Sequence, residues 1–189
     1  MALMDTYRRA QDELTAVLDA VPADRWTTPS ACTEWTVGDV AGHLIWGQHQ
    51  LRAWATGSPD PAGDGAPGSA NPATLTGQDP AATWRAARAE CSAVLTPDAL
   101  ARTTTITGMG EVPVAAVVAL LVTDTTAHAW DIAHGLGMPL SLAPELVTFA
   151  HDWAHTNVVR RPGFFGPELT PPDDADEQTR MLAFLGRAT

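Results

Sequence analysis

Apolar residues recur every three and four positions along much of this chain, and that period commits it to helices. Leu3, Tyr7, Ala10, Leu14, Val17, Leu18 and Val21 form one such stripe, which ends at Pro22. Residues spaced this way share one face of an α-helix, so the stripe predicts a first helix turned toward a core. After a link containing proline and threonine, Thr36 precedes a second apolar pattern, with Asp39 three residues on. This arrangement resembles a capping box with Asp in place of Glu, and it predicts a second helix from about Val37 to Trp54. Pro80 suits the first turn of a third helix with Trp84, Ala87, Cys91, Val94 and Leu95 inward. Pro113 opens a long fourth helix that runs to about Gly135 or Gly137, where glycine offers a left-handed cap. A last long helix is predicted over about Ala143 to Val159. The tail is proline-rich up to Pro172, and Asp173 to Leu185 predicts a short acidic helix.

Two stretches interrupt the helical pattern. Thr56 to Gln78 is rich in Gly, Pro, Ser and Ala with almost no large apolar residue, so it reads as a mobile loop unable to build a core. It is too long for a simple connector, and loops of that length are usually lids, binding loops or disordered segments. Thr103 to Val112 alternates β-branched residues and ends in Gly-Met-Gly, which suits a short extended segment, a hairpin or a plain loop. The expected fold class is therefore all-α. At 189 residues one domain spanning 1–189 is expected.

Charge and composition remove several functions. With 22 acidic and 11 basic residues the net charge is −11, which leaves no basic field to attract phosphate backbones or acidic membrane surfaces. Lysine is absent, so arginine supplies all the positive charge. The longest apolar run, Val112 to Val122, is interrupted by Pro113 and stops at Thr123 and Asp124, too short to span a bilayer. Nucleic acid and membrane are therefore not expected partners. Met1 to Leu14 carries Asp5, Arg8, Arg9, Asp12 and Glu13 where a secretory leader needs an apolar core, so a cytoplasmic location is expected. Cys32 and Cys91 cannot build a disulfide framework and are expected as free, buried thiols.

In the long fourth helix Asp124 and His128 are four residues apart, which puts them about 40° apart around the axis on one face. A carboxylate and an imidazole so placed supply two ligands to one metal, and a third from another helix leaves room for water or substrate. His43 is the best candidate for the third, since it lies mid-helix in Val-Ala-Gly-His-Leu-Ile-Trp, where a neutral imidazole needs a partner. The same spacing also serves a simple Asp–His hydrogen bond. A rival pair, His151 and His155, has equally good geometry. It lacks the glutamate of the His-Glu-x-x-His metalloprotease motif and reads as a half-exposed surface pair.

Resemblance separates the pairs. The segment Cys-Thr-Glu-Trp-Thr-Val-Gly-Asp-Val-Ala-Gly-His-Leu, Cys32 to Leu44, resembles the first metal-ligand motif of the mycothiol-dependent maleylpyruvate isomerase family, a branch of the DinB-like superfamily. His43 falls on the ligand. The second motif, a carboxylate-x-x-x-His followed by Trp-Asp-Ile-Ala and a Gly-x-Gly end, is matched by Asp124, His128, Trp130, Asp131 and Gly135 to Gly137. The tail Pro-Pro-Asp-Asp-Ala-Asp and then Leu-Ala-Phe-Leu-Gly-Arg is similar to the single-domain branch of the family. The resemblance implies a DinB-like four-helix bundle holding a divalent metal, often zinc, through two histidines and one carboxylate. Zinc fits those donors, as do iron(II) and nickel. The family's carboxylate is commonly Glu, and Asp124 is one methylene shorter. The isomerase itself carries a second, C-terminal domain and this sequence ends without one, so maleylpyruvate isomerisation itself is not expected.

Asp131 is seven residues beyond Asp124 and returns to nearly the same face, where it could orient a ligand or handle a proton as a catalytic residue. Asp39 is expected to cap its helix, with a tautomer-fixing role toward His43 as the alternative. Trp26, Trp35, Trp46, Trp84 and Trp130 read as core, and Trp54 as a pocket residue beside the loop. Two functions fit. One is an enzyme, implied by the resemblance: a thiol-dependent transferase or isomerase with mycothiol as co-substrate and a small electrophile as partner, the 56–78 segment acting as a lid. The other is a non-catalytic metal-containing protein that binds a small molecule or serves in stress response. A purely structural bundle is a third. No Ser-His-Asp arrangement with a nucleophile elbow is visible. A homodimer is compatible with all three.

Overall fold

The computed structural model describes residues 2–61, 64–106, 110–160 and 164–189. Helix α1 (Leu3–Asp19) buries Tyr7, Ala10, Leu14, Val17 and Leu18, the residues of the first apolar stripe. Helix α2 (Val37–Thr56) begins where Thr36 and Asp39 cap one another. The Thr36 hydroxyl accepts from the Asp39 N–H at 3.1 Å, and the Asp39 carboxylate accepts from the Thr36 N–H at 3.0 Å. It runs two residues past Trp54 and stops at Gly57.

Helix α3 (Pro80–Ser92) starts on the expected proline, with the Asp79 side chain accepting from the Ala82 N–H. A short α4 (Pro97–Ala101), too brief to leave an apolar period, follows it. Strands β1 (Thr103–Ile106) and β2 (Gly110–Pro113) pair antiparallel with Thr103 opposite Pro113 and Ile106 opposite Gly110, so the hairpin is the form adopted. Residues 107–109, which include the first two of Gly-Met-Gly, lie outside the described residues, as do 62–63 of the predicted loop and 161–163 of the proline-rich tail. Helix α5 (Val114–Gly135) is the longest, and α6 (Pro144–Asn157) and α7 (Glu177–Phe184) complete the chain.

The mostly helical architecture agrees with the all-α expectation, the small hairpin aside. Helices α1 and α2 each pack against both α3 and α5, while α6 packs on α5 and α7 on α6. Helix α5 contributes to every part of the core. Its Ile132 joins Leu14, Leu18, Val40, Ile45 and Trp84 among α1, α2 and α3. Val118 and Leu121 join Tyr7, Leu51 and Cys91, and Trp130 joins Val147, Met181 and Leu185 under α6 and α7. Among the described residues no helix is long and apolar enough to cross a membrane.

The 56–78 segment departs from expectation. Its described part buries Gly65, Pro72 and Thr76, and a 3-10 turn (Pro72–Leu75) lies on α2. The Asp39 carboxylate accepts from the Ala73 N–H at 3.1 Å. A Cβ on Gly42 would stand 1.9 Å from the Pro72 carbonyl oxygen, so the absence of a side chain there lets the loop backbone rest directly on the helix. Sequence composition correctly identified a segment without large side chains; it gave no signal that backbone atoms would make the contacts.

Candidate metal centre

Asp124 and His128 stand midway along α5, and the packing of α2 on α5 brings His43 to them. His43 Nε2 lies 3.5 Å from Asp124 Oδ2, and His128 Nε2 lies 3.4 Å from Asp124 Oδ1. Each imidazole thus faces a different oxygen of one carboxylate, with the ring centroids 5.2 Å apart. The three side chains place one ligand atom each within 4.8 Å of the others. These separations are long for hydrogen bonds, whose heavy atoms usually sit about 2.9 Å apart. They match the edges of a tetrahedron, because ligands about 2.0–2.1 Å from zinc stand roughly 3.3 Å from each other.

The remaining ring nitrogens are occupied on the far side. His43 Nδ1 donates to the Gly65 carbonyl at 2.7 Å, and His128 Nδ1 donates to Asp131 Oδ2 at 2.8 Å. Both partners are acceptors, so each Nδ1 carries a proton, and with a cation bound in place of the Nε2 proton each ring would present its Nε2 lone pair beside Asp124. The donor set and its orientation fit a divalent cation.

Electrostatics agree with the geometry. Burial alone would raise the Asp124 carboxyl, but the imidazoles of His128 and His43 outweigh it and hold the group well below the usual carboxylate range. Burial alone would lower His128, yet Asp124 and then Asp131 push it up to about 9. Asp131 has no solvent exposure, and it receives the Arg187 guanidinium at 2.9 Å (Nη2 to Oδ2) and 3.2 Å (Nε to Oδ1). Burial opposes its charge, and Arg187 followed by His128 overcomes that and lowers its pKa. Asp131 therefore lies behind His128, bonded to the ring nitrogen that faces away from Asp124, with both its oxygens engaged by Arg187.

Two indoles flank the histidines. Trp35 lies 5.0 Å from the His43 ring and 6.2 Å from the His128 ring, and Trp46 stacks on His43 at 6.3 Å. Both are partly exposed: Trp35 packs on the core as expected while also facing the histidines, and Trp46 stands at the wall of the site in place of the expected core. Trp35 is held there by its Nε1–H, which donates to the Ser69 carbonyl at 2.9 Å, and by the turn before it, where Glu34 adopts φ +74°. Trp54 packs against the core beside Leu51 and Cys91, in place of the expected pocket.

Cys32, His128 and Asp131 form a second close group. It is a poorer cation site, since burial and the nearby Asp131 push the Cys32 thiol up to about 12, and Arg187 already neutralises Asp131. Asp39 makes the helix cap and reaches Ala73; the Gly65 carbonyl holds the His43 ring. His151 and His155 pair with each other on the surface of α6, Nε2 to Nε2 at 3.1 Å, away from this centre. Sequence reasoning missed Gly65, Trp35, Trp46 and Arg187 as parts of the site. Arg187 carried a signal as the last residue of the Leu-Ala-Phe-Leu-Gly-Arg tail, as did Trp35 within the Cys32 to Leu44 motif and Trp46 three residues beyond His43, whereas Gly65 carried none.

Comparison with known proteins adds an independent line. The family described as "Mycothiol maleylpyruvate isomerase N-terminal domain" matches residues 7–133, which contain His43, Asp124, His128 and Asp131. An uncharacterized protein of Mycobacterium tuberculosis is 32% identical over 187 residues, covering 96% of this chain and 95% of that protein. A second uncharacterized protein of the same organism is 29% identical over 181 residues, covering 87% of this chain and 67% of the relative. The crystal structure of the mycothiol-dependent maleylpyruvate isomerase superposes with a TM-score of 0.61 at 16% identity, covering 79% of this chain and 68% of that one. A mutant of that enzyme gives 0.60. At that identity the likeness speaks for the fold.

Proposed function

The chain belongs to the mycothiol maleylpyruvate isomerase N-terminal domain family, and from that premise we propose that His43, Asp124 and His128 hold one divalent metal, zinc by preference, at which a low-molecular-weight thiol binds. The observation that carries this reading is the pair of imidazoles with both Nδ1 atoms engaged elsewhere and both Nε2 atoms turned to one carboxylate at 3.4 and 3.5 Å. A divalent ion bound there would stabilise a thiolate against protonation at neutral pH. Three protein ligands leave a coordination position for that sulfur. His43 and His128 contribute neutral nitrogen donors and Asp124 a carboxylate that offsets part of the cation's charge. Trp35 and Trp46 limit water on the flanks and offer aromatic faces to the apolar part of a ligand. The expected activity is transfer or isomerisation of a small electrophile, with mycothiol as the co-substrate.

Elemental analysis of protein purified without added metal should find about one divalent ion per chain. Calorimetry in two buffers of different ionisation enthalpy should then count about one proton released when mycothiol binds. Metal-free protein and the His43→Ala variant should bind none. Metal-independent binding of mycothiol would overturn the thiol reading, and binding without turnover of any electrophile would favour a non-catalytic binding protein.

A further inference from the structure

We propose that Arg187 is a positioning residue for this centre: the C-terminal segment, acting through Asp131, sets the orientation of the His128 ring. The inference rests on the metal reading above. A histidine ring turns about its χ2 bond unless one nitrogen is tied, and the tie on His128 is Asp131 Oδ2 at 2.8 Å. A carboxylate can itself rotate, and here the arginine fork takes both oxygens, at 2.9 and 3.2 Å. Three groups in series, Arg187 to Asp131 to His128, thereby aim Nε2 at Asp124. The other ligand is oriented differently, by a backbone carbonyl at Gly65. One histidine depends on a loop and the other on the tail.

The tail is built to hold that arginine still. Its Nη1 donates to the Leu185 carbonyl at 2.8 Å, its backbone N–H bonds the Leu182 carbonyl at 2.9 Å, and its guanidinium lies 5.3 Å from the Phe165 ring centroid. Gly186 takes φ +83°, and a Cβ there would meet the Pro167 carbonyl oxygen at 2.9 Å, so the chain turns at a point only glycine fits. Arg160 braces the same segment through the carbonyls of Gly166 and Phe184 at 2.5 and 2.7 Å, without touching Asp131. A buried ion pair by itself is weak evidence of stabilisation. Its place directly behind a ligand is what assigns the role.

The test measures metal affinity by competition with a chromophoric chelator in the full-length protein and in three variants, with thermal melting as a check on folding. Arg187→Gln should weaken zinc binding about 10–100-fold, the usual range when the partner behind a ligand is lost. Arg187→Lys keeps the charge without the fork and should fall between that variant and the parent; it also serves if Arg187→Gln does not fold. Arg160→Gln, which loosens the tail alone, should stay within about twofold of the parent by the same reasoning. A folded Arg187→Gln with parental affinity, or an Arg160→Gln that loses as much, overturns the proposal. Nitrogen-detected spectra of the metal-free protein supply a second arm: the hydrogen-bonded His128 Nδ1–H signal should be present in the parent and shifted or lost in Arg187→Gln. If the parent binds no metal, the metal reading fails and this signal alone decides the positioning role. An unchanged signal overturns it.

Discussion

Two helices of this protein each carry a pair of ligand-type residues four positions apart, and the two pairs have different fates. On α5, Asp124 and His128 lie in the interior, with His128 only 5% exposed, and a third group arrives from α2. On α6, His151 and His155 lie at the surface, bond to each other at 3.1 Å and rest against Phe184. The local geometry is the same, since the helical repeat places i and i+4 side by side in both. What differs is the set of groups behind each ring. His128 has Asp131 and Arg187 at its back, so its Nε2 is directed. Each histidine of the surface pair spends its Nε2 on the other. Spacing along a helix therefore nominates a pair, and the surrounding contacts decide whether it can serve a metal.

The sharpest way to break this comparison is to remove the metal from one pair and not the other. His128→Ala should abolish metal binding in protein assayed by elemental analysis, whereas the double variant His151→Ala/His155→Ala should retain about one ion per chain. Equal losses would mean that the two pairs are not distinguished as argued.

A smaller effect should appear with pH. In the metal-free protein His128 keeps its proton up to about 9, above the ordinary 6.5, because Asp124 and Asp131 favour the imidazolium despite burial. A folded-state pKa raised in this way stabilises the metal-free fold fully below about 6.5, and that contribution is lost as pH rises through about 9. A metal must displace the same proton. Its apparent affinity should therefore rise about tenfold per pH unit from 6.5 toward 9 and then level off. The surface pair predicts no such slope, because burial and the neighbouring His155 lower His151. Chelator competition across that range would measure it, and a flat profile would contradict the arrangement around His128.

The smallest of the three effects concerns the loop that holds His43. Gly42→Ala would thrust a methyl group into the Pro72 carbonyl and displace the segment that carries Gly65. Denaturant unfolding should show a loss of about 1–3 kcal/mol, the usual cost of forcing a methyl group into a packed contact. Unchanged stability would show that the segment does not bear on α2 as described.

Several features of the fold could be read directly from the chain because they depend on neighbours in sequence. The Thr36–Asp39 box, the first-turn Pro80 and the apolar face of α1 are set within a few residues, and the structure places all three as expected. The 56–78 segment was read less well. Composition reports side chains, while this segment packs through the carbonyl of Gly65 and the backbone of Pro72 and Ala73. Trp46 departs from its expected core place for a related reason: an indole in an apolar neighbourhood has the same sequence pattern whether it faces the core or the histidines.

By itself the sequence determined that Asp124 and His128 share a helix face, that Asp131 lies near the same face, and that the chain carries the two motifs of its family. Each of these is a matter of helical repeat or residue order. Only the tertiary structure decided that His43 joins them across the α2–α5 contact, that the Gly65 carbonyl fixes one ring, and that Arg187, 56 positions beyond Asp131, holds the carboxylate behind the other. A helix determines directions around its own axis. Which groups meet those directions depends on how distant segments pack, and no local period encodes that.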